Sequence, residues 1–195
     1  MKHLFFLIAL LVLGISTHAQ TVYTKPHFGV CVGMNSAYTT FSPNFIYILR
    51  YQSHPAIGAF FHVRNKKWSF QPEVQFNVKG GTFKGESDVI RNNFNYLSLM
   101  PTIGYVVTEG LTLEAIPEYS FALNDFKTNG PEQKRDFGLG LGFRYDVLDM
   151  GEDFSLCFRY IHGFTNLTTV PTQTQYNRTF QVSVLYNFYK KKEKR

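Results

Sequence analysis

Residues 68–80 read Trp-Ser-Phe-Gln-Pro-Glu-Val-Gln-Phe-Asn-Val-Lys-Gly. Trp68, Phe70, Pro72, Val74, Phe76 and Val78 share one parity, and Ser69, Gln71, Glu73, Gln75, Asn77 and Lys79 the other. Alternation with a period of 2 gives a β-strand with one apolar and one polar face. The run is longer than the usual globular strand of about 5–6 residues. A tilted strand of about 9–11 residues is what crosses a bilayer. The stretch therefore reads as a transmembrane strand, apolar toward lipid and polar toward a lumen. An arginine at Val74 is expected to be costly on this reading, and one at Gln75 much less so.

The pattern recurs on both sides of this stretch. It predicts strands over Phe28–Tyr38, Ile57–Arg64, Trp68–Lys79, Tyr96–Val107, Leu111–Leu123, Asp136–Tyr145, Phe154–Gly163 and Thr179–Phe188. Only Ile57–Arg64 is too irregular for its facing to be assigned. About eight strands is the smallest size of an outer-membrane barrel. Residues 65–67, 108–110 and 146–153 are short or moderate links, whereas 39–56, 80–95, 124–135 and 164–178 are longer and polar. Short and long links alternate, as periplasmic turns and extracellular loops do, which puts both termini in the periplasm. The fold predicted is all-β, an eight-stranded antiparallel up-and-down transmembrane β-barrel over residues 20–189. A soluble ligand-binding barrel would turn its apolar parity inward, but here the polar parity carries the glycines and charges.

Aromatic placement points the same way. Phe28, Trp68, Tyr105, Tyr145, Phe154 and Phe188 fall on the lipid parity at the periplasmic ends of strands. Tyr38, Phe76, Tyr119, Phe121, Phe137, Tyr160 and Phe180 fall toward the outer ends. Two aromatic girdles are the expected marks of two membrane interfaces. Aromatic residues are 17% of the chain and charged residues also 17%. The mean hydropathy of −0.16 resembles that of a soluble protein, because a barrel averages its lipid and lumen faces.

Met1-Lys2-His3, the apolar run Leu4–Ile15 and Ser16-Thr17-His18-Ala19 read as a signal peptide over residues 1–19. The run is too short for a transmembrane helix. Formal net charge is +6. The tail at 190–195 contributes +4 of it, through Lys190, Lys191, Lys192, Lys194 and Arg195 against Glu193. That excess reads as a solvated periplasmic tail, and nucleic acid is not an expected partner of an exported chain.

Site chemistry is sparse. No serine stands two residues after His27, His54, His62 or His162, so no nucleophile and base pair up and no enzyme is expected. Glu86 and Asp88 share one outer loop and read as solvated carboxylates, and no metal or cofactor is expected. Cys31 and Cys157 fall on the lumen parity of strands separated by a third, too far apart for a disulfide. Glu73, Glu114 and Glu118 share the lumen parity with Lys79, Arg144 and Arg159. A selectivity lining is one reading. A paired network filling a narrow barrel is preferred, since buried charges of both signs persist by pairing.

Phe28-Gly29-Val30 running to Gly33-Met34-Asn35, Pro72-Glu73-Val74 with Lys79-Gly80-Gly81, and Tyr96-Leu97 with Pro101 carry a resemblance. Arg159-Tyr160 with Gly163 and Tyr186-Asn187-Phe188 extend it. Together they resemble the Bacteroidota outer-membrane β-barrel family often called PorT-like. In that family the final aromatic strand ends the chain, whereas Tyr189 and the basic tail follow it here. The resemblance implies an outer-membrane location and no established activity. The expected role is that of a monomeric structural or interaction barrel with a closed lumen. Its partners would be membrane lipid and a protein at its outer loops or periplasmic end. A small-solute channel or secretion accessory is the alternative.

Overall fold

The computed structural model describes residues 26–43, 48–85, 89–108, 110–125, 130–147 and 153–188. The expected signal peptide, Glu86, Asp88, Tyr189 and the basic tail lie outside these residues. The described residues form nine strands: β1 (His27–Ser42), β2 (Ile48–Arg50), β3 (Gln52–Asn65), β4 (Trp68–Lys84), β5 (Val89–Thr108), β6 (Leu111–Ala122), β7 (Arg135–Asp146), β8 (Phe154–Gly163) and β9 (Thr174–Asn187). Eight of them close into one antiparallel ring, each paired with its chain neighbour, and β1 zips to β9 from Gly29↔Asn187 to Ser42↔Thr174. Closure leaves the ring without an edge, which is what allows a sheet to cross lipid.

Facing follows the alternation. Val32, Val74, Leu99, Leu113, Leu141 and Val182 point outward and are exposed, whereas Asn35, Gln75, Ser98, Glu114 and Gln181 point inward and are buried. β3 turns Phe60 and His62 inward and Ile57 outward. The adjacent pair Phe60-Phe61 had hidden that facing, because one aromatic belongs to each side.

Strand ends depart from expectation in one direction. The second outer link, expected as a loop over 80–95, is largely a hairpin: β4 continues to Lys84 and β5 begins at Val89. β1 likewise continues to Ser42, β9 begins at Thr174, and β2 forms inside the first link. Beyond the apolar band the outward face turns mostly polar, through Thr82, Lys84, Arg91, Asn93 and Asn95, so the apolar alternation stops while the hydrogen-bond ladder goes on. The turn between β3 and β4 is tight. Asn65 pairs with Trp68 across Lys66-Lys67, with Lys66 at φ 55, the left-handed geometry of a two-residue hairpin.

Gly80 sits at φ 124, and a Cβ there would collide with the Asn92 carbonyl oxygen. It marks where β4 leaves β3. Their pairing stops at Ala56↔Asn77 and β4 next pairs with β2 at Arg50↔Thr82.

The aromatics of both girdles sit on the outer surface. Trp68 and Tyr105 meet edge to face at 5.1 Å beside the β3–β4 turn, and Phe154 meets Tyr186 at 5.1 Å at the same end of the barrel. Toward the outer side, Tyr160 and Phe180 lie 4.7 Å apart and Tyr38 contacts Tyr51 at 4.6 Å.

Candidate functional site: the filled lumen

Each inward side chain is set by strand parity, so the lumen is built from alternate residues of all eight walls. Its centre is Arg159 on β8. Arg159 Nη1 donates to Glu73 Oε2 of β4 at 2.9 Å, and Nε donates to Glu114 Oε2 of β6 at 3.1 Å. All three side chains are 0–1% exposed. Glu73 also accepts from Cys31 Sγ at 3.1 Å, from Gln71 Nε2 at 3.3 Å and from Gln75 Nε2. A carboxylate with this many donors is compensated inside protein. Gly142 makes the space, since a Cβ there would lie 2.5 Å from the Phe158 carbonyl oxygen and 2.9 Å from Arg159 Cγ.

A second charged tier lies toward the outer side. Lys79 Nζ donates to Glu118 Oε2 at 2.7 Å, lies 3.9 Å from Asp136 Oδ2 and stands 5.2 Å from the Tyr96 ring centre. Asn177 Nδ2 donates to Asp136 Oδ2 at 2.8 Å. Between the two tiers Met100, Ile116 and Ile161 form an apolar cluster. Gln181 links its register partner on β1 to β4 across the lumen, with Nε2 2.9 Å from both Asn35 Oδ1 and Gln75 Oε1.

The structure thus separates the six charges named from the sequence. Glu73, Glu114 and Arg159 meet in one tier, and Lys79 and Glu118 in another. Arg144 meets none of the three glutamates. Its Nε lies 3.1 Å from Asp146 Oδ1, and its Nη1 donates to Gln71 Oε1 at 2.8 Å beside His62. In the paired network expected of all six charges Arg144 is the exception: it stands opposite Thr112 near the β7–β8 link, and the glutamates are placed farther from that end. Asp136 and Asp146 were missed, although Asp136 shares the parity of Gly138 and Gly140. Cys31 and Cys157 are free, buried thiols in an apolar cluster with Phe60 and Leu185. Among the described residues no three His, Cys, Asp or Glu side chains gather as a metal site.

The outer mouth is covered by the last outer link. Leu167 is fully buried against Phe94, Tyr96 and Ala122. Leu167 N donates to the Gln175 carbonyl oxygen at 2.8 Å, and Gln133 N donates to the Leu167 carbonyl oxygen at 3.1 Å. Glu132 clasps the cover from the neighbouring link, accepting from Thr169 Oγ1 at 2.6 Å, from the Thr169 amide and from Thr168 Oγ1 at 3.2 Å. The Thr169 hydroxyl and amide hold the Glu132 carboxyl below its usual range.

Over residues 7–188 the sequence matches the family described as outer membrane protein beta-barrel domain. The chain belongs to this family.

As a member of the outer membrane protein beta-barrel family it lies in the outer membrane. Its fold is similar to the crystal structure of Ail, the attachment invasion locus protein of Yersinia pestis. That likeness has a TM-score of 0.52 at 12% identity and covers 85% of this chain and 100% of Ail. Ail in a phospholipid bilayer nanodisc gives 0.52 at 12% identity, over 84% of this chain and 100% of that one. The outer membrane protein OprG from Pseudomonas aeruginosa gives 0.45 at 13% identity, over 88% and 100%. At such identities the likeness shows the fold alone. Comparison with curated proteins found no match.

Proposed function

We propose that this barrel is a closed outer-membrane scaffold. It does not conduct, performs no catalysis, and acts as a monomer through its raised outer links or its periplasmic end on a protein partner. The observation that carries the reading is the lumen itself. Arg159 with Glu73 and Glu114, Lys79 with Glu118, and the Met100–Ile116–Ile161 cluster occupy successive levels, and Leu167 covers the mouth. Eight strands enclose only enough room for side chains, and each level here is spent on protein contacts. The motifs shared with PorT-like barrels of Bacteroidota support placing it in that branch, with a signal peptide at residues 1–19.

Planar-bilayer recording on the purified barrel tests closure. Silence at neutral pH is expected. Steady open channels would remove the closed-lumen reading and favour solute passage. Crosslinking in intact outer membranes, followed by purification of the barrel, tests the interaction reading through a reproducible protein adduct at the outer links or periplasmic end.

A further inference from the structure

The outward face of β4 and β5 runs without a register shift from Trp68↔Tyr105 to Lys84↔Val89. Its chemistry changes on the way. Val74 faces Leu99 and Phe76 faces Leu97 within the apolar band; higher on the same face of β5 come Asn95 and Asn93. Above them Thr82 is flanked by Arg91 of β5 and Arg50 of β2, with Lys84 one pleat further on the same face. Phe83 points the other way, toward Phe41. Arg50, Lys84 and Arg91 are all exposed. Among the described residues no carboxylate pairs with any of them.

Neighbouring strands lie about 4.8 Å apart, so Arg50 and Arg91 straddle Thr82 within reach of one common point. Three like charges on adjoining positions repel, and an external anion would compensate them. Height identifies that anion's source. From Trp68 to Thr82, at ~3.3 Å per residue and a tilt of ~40°, β4 rises roughly 35 Å. The apolar band of such a barrel is about 25 Å tall. The cations therefore stand about 10 Å beyond the hydrocarbon, on a face continuous with the lipid-facing wall. That is the level of the outer-leaflet headgroups.

We propose that Arg50, Thr82, Lys84 and Arg91 form a binding site for the phosphate of an outer-leaflet lipid headgroup. The arginine forks and the Lys84 ammonium supply charge-assisted donors to phosphate oxygens, and the Thr82 hydroxyl supplies another. The site does not depend on a closed lumen, because lipid retention is read separately from conductance.

Native mass spectrometry of the full chain in detergent tests it, with diphosphorylated lipid A as the probe. Dephosphorylated lipid A and inorganic phosphate serve as comparators. The wild type should retain the phosphorylated probe. The variant R50Q/K84Q/R91Q should retain it more weakly by on the order of tenfold or more. Dephosphorylated lipid A should bind the wild type as weakly as the phosphorylated form binds the variant. Equal retention by wild type and variant, or equal retention of the two lipids, would overturn the proposal. So would displacement of the lipid by equimolar inorganic phosphate, which would leave a free-ion site. Folding of the variant is checked by its heat-dependent gel mobility. If it does not fold, the single variants Lys84→Gln and Arg91→Gln should show the same order in smaller steps, and unchanged retention in both would equally refute the site.

Discussion

Arg159 donates to Glu73 and to Glu114 at once, so truncating it strands two carboxylates in a region closed to solvent. Arg159→Ala is expected to destabilise the barrel by about 3–5 kcal/mol, measured by urea titration in lipid vesicles. Arg144→Ala should cost less, because its partner Asp146 is 24% exposed and water can replace the lost cation. Combining Arg159→Met with Glu73→Gln and Glu114→Gln should recover much of the loss, since no buried charge is then left unpaired. A triple variant as unstable as Arg159→Ala would show that the network is not the source of the cost. Glu132 supplies a pH dependence outside the membrane. Its folded pKa is lowered by the Thr169 hydroxyl and amide, so the clasp is intact above the ordinary value of 4.5 and is lost as pH falls through the lower folded value. Exchange of the Thr169 amide should accelerate there relative to Glu132→Gln, in which the acid-dependent component is absent. Identical profiles for the two proteins would exclude Glu132 as the titrating group.

At the scale of strands, depth and facing act together. Leu99 lies opposite Val74 in the apolar band, and Val89 lies on the same face of β5 near its outer tip. Leu99→Arg should cost about 2–4 kcal/mol and Val89→Arg about 0–1 kcal/mol in a vesicle folding titration. Equal costs would place the tip of β5 inside the membrane. Gln75, expected from its parity to tolerate arginine, is no longer a neutral comparison. Its Nε2 donates to Glu73 and to Cys31 Sγ, and its Oε1 accepts from Gln181. The polar parity of β4 marks a filled interior, and an added cation there has no room.

For the whole molecule the checkable quantity is orientation. Cys31 and Cys157 are buried; in a background lacking both, Thr172→Cys should react with an impermeant thiol reagent on intact cells and Lys66→Cys should not. Thr128, in the third outer link, lies outside the described residues. Labelling at Lys66 but not at Thr172 would invert the barrel. The ring order, with each strand beside its chain neighbours, makes this a single decision, because one reversed strand would reverse them all.

The sequence by itself determined the eight wall strands and the facing of every one of them but β3. Period-2 alternation is a local property, and a membrane enforces it on every wall-crossing strand. Charge on the lumen parity was legible for the same reason in Glu73, Lys79, Glu114, Glu118, Arg144 and Arg159. Only the tertiary structure decided how those charges combine. Arg159 reaches Glu73 across the lumen, from β8 to β4, and Lys79 reaches Glu118 from β4 to β6. Such partners depend on stagger and curvature, which no single strand encodes. The ladder above the membrane was hidden as well, because there water replaces lipid and the outward face no longer has to be apolar. Arg50, Thr82 and Arg91 come from three separate strands, and register alone set them side by side.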